Sequence, residues 1–318
     1  MTSDPNAPLR LEPPAFPSRE EAIVSRADAR VWRPYVQAIL ERHGLPVGEP
    51  VAGHNPTFPT FVVGDAVVKL FGLTDRWRRT YETERTALAL LATDQQIRAP
   101  HVVGEGQLSE GQDAPWPYLV MARIPGVRWD EAGLSTAQRV ELVAELGRQV
   151  GRIHALRPTG GLTTDADWSG LDVRAACEDT VLPGHLVNQI PDYLARLGPS
   201  DPVLVHGDLV PMHVFVDRGR LAGIIDWGDA MVTDRHSELI KLYDVLDYDP
   251  ALLRLFLEAS GWPVGEGFAH QAMAQGLIRQ ALLLAQHHSS DAFWRLSHFV
   301  RLDRFRTLDE LAEALFGI

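Results

Sequence analysis

The period of the apolar positions changes twice along this chain. Residues 18–30 and 31–43 carry them at helical spacing, and the second run closes on Gly44, a good C-cap residue. Ser18, followed by Glu20 and Glu21, has the chemistry of a helix start, with a capping hydroxyl and carboxylates near the positive end. Residues 47–51, 60–63, 66–71 and 117–121 are instead short, compact apolar runs bounded by Gly64-Asp65 and Pro125-Gly126. They predict a small antiparallel sheet. Residues 74–93 predict a helix bearing Glu82 and Glu84, with Leu88 and Leu91 on its apolar face.

Helical periods dominate from residue 122 onward. Ser135-Thr-Ala-Gln138 has capping-box spacing and opens a helix to about residue 156, with Val140, Val143, Leu146, Val150 and Ile153 as its core stripe. Gly147 and Gly151 cost helix propensity there but permit close packing of another element. Further helices are predicted at 184–197, 234–246, 250–260, 267–288, 291–299 and 304–316, with His287-His288 as surface or helix-end residues. Pro5, Pro8, Pro13, Pro14 and Pro17 make residues 1–17 an extended arm. The expected architecture is α+β in two lobes. Residues 1–121 form the smaller lobe with the sheet, and 122–318 form a larger, mostly helical one.

One stretch of the second lobe breaks the helical pattern. Residues 214–216 and 221–225 are apolar runs flanking Asp217-Arg-Gly-Arg220, which reads as a β-hairpin. A hairpin returns the end of its second strand to the start of its first, so Asp208 and His213 come to the same end as Asp226. Neighbouring carboxylates repel unless a cation lies between them. Oxygen ligands of this kind suit Mg²⁺, which keeps its other positions for water and substrate phosphates. Metal-assisted phosphoryl transfer is the first hypothesis.

Lys69 interrupts the apolar run 66–71. A charge in a buried strand needs a partner. Lys69 either snorkels at a sheet edge or pairs with Glu82 or Glu84. Asp229, Asp234 and Glu238 lie just beyond Asp226 and can hold ammonium groups of a cationic substrate, although Asp234 equally suits a helix N-cap. Trp227 either stacks on a sugar or packs, and His206 reads as a scaffold histidine bracing the loop.

Composition narrows the class. The 318 residues carry a formal net charge of −12, which disfavours nucleic acid and anionic membranes and favours cationic encounter partners. Cys177 is the single cysteine, so an intrachain disulfide and a cysteine-cluster metal site are both excluded. Residues 1–20 lack the apolar core of a signal peptide, and no apolar run approaches membrane-spanning length. A cytoplasmic protein, monomeric or weakly dimeric, is expected. Walker A, GxSxG, HExxH and GxGxxG stretches do not occur, which disfavours the corresponding enzymes.

His206-Gly-Asp208, a polar residue at 213, and Ile224-Ile-Asp226-Trp together resemble the catalytic and metal motifs of the aminoglycoside phosphotransferase family. Val67-Val-Lys69-Leu-Phe-Gly72, Trp116-Pro-Tyr-Leu-Val-Met121 and Leu146-Gly-Arg-Gln-Val-Gly-Arg-Ile-His154 agree in order. The chain is most similar to the hygromycin B phosphotransferases within that family. The resemblance implies a bilobal protein-kinase-like fold and an ATP- and Mg²⁺-dependent enzyme that phosphorylates an aminoglycoside hydroxyl and so confers resistance. Asp208 would orient the acceptor hydroxyl and accept its proton, and Asp226 would hold Mg²⁺. Lys69, held by Glu84, would contact the α- and β-phosphates. Met121 would border the adenine pocket, with the backbone of Ala122 and Ile124 bonding the base. The family pattern has asparagine where this chain has His213, leaving three placements open: metal ligand, partner of Asp208, or turned away. A neutral imidazole is a poorer Mg²⁺ ligand than oxygen. Two alternatives share the fold: a kinase of another antibiotic or metabolite (a viomycin-like peptide, a macrolide, an amino alcohol), and a catalytically weak nucleotide-binding protein.

Overall fold

The computed structural model describes residues 8–109, 116–158, 160–162, 164, 168–286 and 291–318. His287 and His288 lie outside them. The chain divides into two compact units, one of residues 1–95 and 99–124, the other of residues 96–98 and 125–318. Residues 122–124 fall in the first.

The first unit opens with α1 (Arg19–Ser25) and α2 (Ala29–Arg42). Ser18 caps α1 by accepting the Glu21 N–H, and Asp28 caps α2 through the Arg30 N–H. The second helix thus starts two residues earlier than its hydrophobic run suggests. Strands β1 (Val51–Ala52), β2 (Thr60–Val63), β3 (Ala66–Leu70), β4 (Val102–Gln107) and β5 (Pro117–Ala122) form one antiparallel sheet in the order β1-β2-β3-β5-β4. Strand β4 escaped the sequence pattern because its Gly104 and Gly106 break the apolar run. Gly106 has a physical reason: a Cβ there would collide with the Tyr118 hydroxyl. Helix α3 (Trp77–Leu91) buries Thr80, Thr83, Glu84, Ala87, Leu88 and Leu91 along one stripe.

The second unit contains β6 (Val127–Arg128), α4 (Thr136–Ala155), α5 (Val173–Ala176), α6 (Gly184–Val187) and α7 (Ile190–Leu194). The helix expected over 184–197 is thus two short ones, with Pro191 in the first turn of the second. The Ser135–Gln138 capping box forms as read. Val140 does not join the core stripe; it is 42% exposed, whereas Val143, Leu146, Val150 and Ile153 are buried. Strands β7 (Pro202–Val205), β8 (Val214–Asp217), β9 (Arg220–Ile224) and β10 (Met231–Asp234) come next. They make two ribbons, β7 with β10 and β8 with β9, the latter joined by β6. The rest is α8 (Leu239–Val245), α9 (Pro250–Ser260), α10 (Phe268–Gln286), α11 (Leu296–Phe299) and α12 (Leu308–Phe316). Among the described residues no helix is long and apolar enough to cross a membrane.

Candidate active site

In the first unit, strand β3 pairs Lys69 with Leu119 on β5 and with Thr60 on β2, a central position in the sheet. Lys69 is therefore not an edge residue, and it is 6% exposed. Its Nζ lies 2.6 Å from Glu84 Oε2, contributed by the buried stripe of α3. Glu82 lies one position off that stripe. Removing one partner of a buried ion pair leaves an uncompensated charge, at a cost of about 3–5 kcal/mol. Met121 is buried at the end of β5. The Ala122 N–H donates to His101 O at 2.8 Å, and half-buried Ile124 ends the unit.

In the second unit, the two ribbons explain how distant residues meet. The chain leaves β7 and reaches β8 through residues 206–213, then returns from β9 to β10 through residues 225–230. Both connections span the same two ribbons, so they run side by side. The Ile225 N–H donates to His213 O at 2.9 Å and ties them together. The β8–β9 turn places Arg218 at φ 48° and Gly219 at φ 75°, the left-handed pair of a tight hairpin.

His206 locks this arrangement. Its Nε2–H donates to Ile225 O at 2.9 Å, while its Nδ1 accepts the Asp208 N–H at 3.2 Å. Burial, followed by the neighbouring His213, pushes the imidazole down to about 4 and keeps it neutral. His206 is thus the brace that its position suggested. Trp227 is buried against the His206 ring at 4.6 Å and donates its indole N–H to Ile224 O; it packs and does not present a stacking face. Gly207 has φ +82°, and any Cβ there would penetrate the backbone of Asp229.

His213 Nδ1 lies 2.8 Å from the backbone carbonyl of Asp208. Donating its proton there leaves Nε2 with a lone pair, 3.5 Å from Asp226 Oδ2. That is the arrangement of a metal-binding imidazole, whose second nitrogen donates to a carbonyl or carboxylate. Asp226 adopts φ 66°, ψ 67°, a left-handed conformation uncommon for any residue but glycine, and its side chain is 40% exposed. Strained backbone of this kind collects at functional sites. Among the described residues, no group of three His, Cys, Asp or Glu side chains is assembled as a metal site. The donor set of one carboxylate and one imidazole fits a divalent cation that takes its other ligands from water and phosphate.

Asp208 is 29% exposed at its side chain. Burial opposes its ionisation, but its positively charged neighbours, Lys241 first and Arg279 among the others, outweigh it and hold the carboxyl below its ordinary value. Lys241 Nζ, from α8, lies 3.4 Å from Asp208 Oδ1. Sequence reasoning missed Lys241. Its one signal is that it is the sole cation between Leu239 and Leu246, in an otherwise apolar and acidic helix.

The three acidic residues beyond Asp226 separate. Asp229 is half-buried, in the short turn after Asp226. Asp234 is 2% exposed and accepts from the N–H groups of Asp201 and His236, from His236 Nδ1 and from the Gln271 amide. Glu238, also 2% exposed, accepts the His206 N–H at 2.7 Å, and burial pushes its carboxyl up to about 7. Glu238 supports the connection after β7 through the His206 N–H, and Asp234 ties residues 201, 236 and 271 together. Asp234 takes the N-cap place its sequence context offered, accepting the His236 N–H, whereas burial of Glu238 departs from the expectation that it faces a substrate. β10 turns residues 231–234 inward against β7, and the short helix Arg235–Glu238 that follows buries Glu238.

The family model of the phosphotransferase enzyme family matches residues 53–275, spanning both β3 and the loops that carry Asp208 and Asp226. The chain belongs to the phosphotransferase enzyme family. An aminoglycoside 3'-phosphotransferase of Streptomyces fradiae is 30% identical over 190 residues, covering 52% of this chain and 67% of the relative. A second, from Escherichia coli, is 29% identical over 129 residues, covering 36% and 47%. Among solved structures, the GDP complex of aminoglycoside 2'-phosphotransferase-IIIa aligns at a TM-score of 0.64 with 16% identity, covering 89% of this chain and 98% of that one. The macrolide 2'-phosphotransferase MphH of Brachybacterium faecium aligns at 0.58 with 17% identity, covering 90% and 98%. At these identities the structures speak for the fold alone, the two-lobed kinase-like α+β fold expected of this phosphotransferase.

Proposed function

We propose that this phosphotransferase moves the γ-phosphoryl group of ATP to a hydroxyl of an aminoglycoside antibiotic, hygromycin B being the first acceptor to test. The observation that carries the reading is the convergence of Asp208, His213 and Asp226 where the two ribbons meet. Asp208 orients the acceptor hydroxyl and takes its proton as the acceptor oxygen bonds to phosphorus and the bond to the ADP oxygen breaks. The carboxylate suits this role because its neighbours keep it ionised. Lys69, fixed by Glu84, contacts the α- and β-phosphates as a point charge. Met121, Ala122 and Ile124 border the base, with hydrogen bonds drawn from groups other than the Ala122 N–H, which is already bonded to His101. Asp226 and His213 would hold Mg²⁺ or Mn²⁺, which when bound neutralises charge on the phosphate oxygens. Asp229, half-buried beside these groups, is the remaining acidic candidate for a substrate ammonium.

Support for the substrate class comes from the two curated relatives, both aminoglycoside 3'-phosphotransferases, and from the acidic balance of −12. The likeness to hygromycin B phosphotransferases rests on the sequence motifs. An ADP-release assay with ATP and Mg²⁺ or Mn²⁺, run against hygromycin B, kanamycin, streptomycin and a macrolide, tests the reading. Acceptor-dependent ADP release with an aminoglycoside is expected. Release with the macrolide alone would move the substrate class. Acceptor-independent traces throughout, under both metals, would overturn the phosphotransferase reading.

A further inference from the structure

Lys241 is the one cation of its helix, and its charge acts on two carboxylates, Asp208 and Asp244. On α8, one turn further along, Asp244 offers a competing carboxylate. Arg295 is its nearer cation, with Nε 2.7 Å from Asp244 Oδ1 and a larger effect on its ionisation than Lys241 has. Lys241 Nζ lies 3.4 Å from Asp208 Oδ1, with its side chain 22% exposed, and is the largest charge acting on that carboxyl. The other carboxylate oxygen, Oδ2, lies 3.6 Å from His213 Nδ1. That nitrogen has a nearer partner in the Asp208 backbone carbonyl at 2.8 Å, so its proton goes there. The two oxygens of Asp208 are thus unequal. Oδ1 has an ammonium group beside it, and Oδ2 keeps its lone pairs for a donor arriving from outside.

We propose that Lys241 is a positioning residue that fixes the Asp208 carboxylate by its Oδ1 and turns Oδ2 toward the acceptor hydroxyl. This rests on the reading of Asp208 as the group that receives that hydroxyl. A carboxylate on a single side-chain torsion rotates freely unless one oxygen is anchored, and the terminal sp³–sp² torsion is broad. Glu238 and Arg279 fix the backbone beside it: Glu238 accepts the His206 N–H, and the buried Arg279 guanidinium donates to the Gly207 carbonyl. Neither holds the carboxylate itself. Misplacement of a reacting group by about 1 Å can cost on the order of a hundredfold in rate. The anchor is thereby worth far more to turnover than to folding, since a partly exposed ion pair contributes little stability.

The test combines Lys241→Met, Lys241→Arg and Asp208→Asn. Lys241→Met is expected to lower kcat by about 10- to 100-fold with the KM for ATP changed by less than about twofold. Lys241→Arg is expected to recover most of the loss, because its guanidinium also reaches Oδ1. In the Asp208→Asn background, Lys241→Met is expected to cost nothing further, since a residue acting through another is non-additive with it. A kcat for Lys241→Met within about twofold of wild type, or an undiminished loss in the Asp208→Asn background, would overturn the proposal. A crystal structure of Lys241→Met gives a readout independent of turnover. The Asp208 carboxylate is expected to have rotated, and an unmoved carboxylate would overturn the proposal even if no acceptor supports ADP release. Absence of acceptor-dependent release by the wild-type enzyme would instead count against the phosphotransferase reading.

Discussion

In the proposed reaction two residue pairs support Asp208, and each makes a separate demand on its side chains. Lys69 and Glu84 satisfy one another at 2.6 Å inside the first unit, where neither can turn to water. Glu84→Ala should therefore lower stability by about 3–5 kcal/mol, read as a fall in Tm, and raise the KM for nucleotide. An unchanged Tm would show that Lys69 finds another partner. His213 and Asp226 face one another at 3.5 Å with the imidazole lone pair between them. His213→Asn replaces nitrogen by an amide oxygen, a better ligand for Mg²⁺. The ratio of activity with Mn²⁺ to activity with Mg²⁺ should fall several-fold, and Mn²⁺ affinity measured by electron paramagnetic resonance should fall with it. A ratio and an affinity both unchanged would remove His213 from the metal site.

At the scale of elements, the second unit depends on a close helix crossing and on two ribbons. Gly147 and Gly151 lie on α4 where the last turn of α9 passes; a Cβ at Gly147 would come 2.7 Å from Phe256 O, and one at Gly151 would meet Ser260 O. Gly151→Ala should lower Tm although alanine has the higher helix propensity, because backbone cannot yield as a flexible side chain can. A higher Tm would contradict that. These glycines were legible from their four-residue spacing, as was the β8–β9 hairpin from its apolar runs and Gly219. Strands β7 and β10 were not legible. Residues 202–205 and 231–234 are brief apolar runs whose pairing is set by tertiary contact, and 234–238 carry the helical pattern of α8. Without β10 in view, Asp234 suited a substrate ammonium as well as the N-cap it forms, and Glu238 after it suited the same substrate role. Glu84 was separable from Glu82 only by motif alignment, and α3 gives the physical reason: Glu84 is on the buried stripe. Lys241 had no motif to mark it. Its meaning depends on the fold bringing α8 against the loop of residue 208.

At the scale of the whole molecule, buried titratable groups set the response to acid. Burial pushes His154 down to about 3 and His206 to about 4, so the native chain refuses protons that the unfolded chain accepts below the ordinary value of 6.5. Their stabilisation is complete above that value, falls as pH drops below it, and is fully lost once pH has fallen through about 4 for His206 and about 3 for His154. Glu238 acts oppositely: its carboxyl, raised to about 7, stays protonated in the native state where the unfolded group would ionise above 4.5. Between about pH 7 and about pH 5 Glu238 thus works against the two imidazoles. His154 packs edge-on against Trp262 at 5.0 Å, a contact that phenylalanine can keep. His154→Phe should therefore lose less Tm than wild type between about pH 7 and about pH 5; equal losses would contradict the assignment. Phosphoryl transfer itself comes down to one comparison: acceptor-dependent ADP release by wild type and by Asp208→Ala, with the phosphorylated acceptor identified by mass spectrometry. A phosphorylated acceptor is expected from wild type, with a loss of at least about a hundredfold in the variant. Full activity in Asp208→Ala would contradict the role of that carboxylate in the transfer.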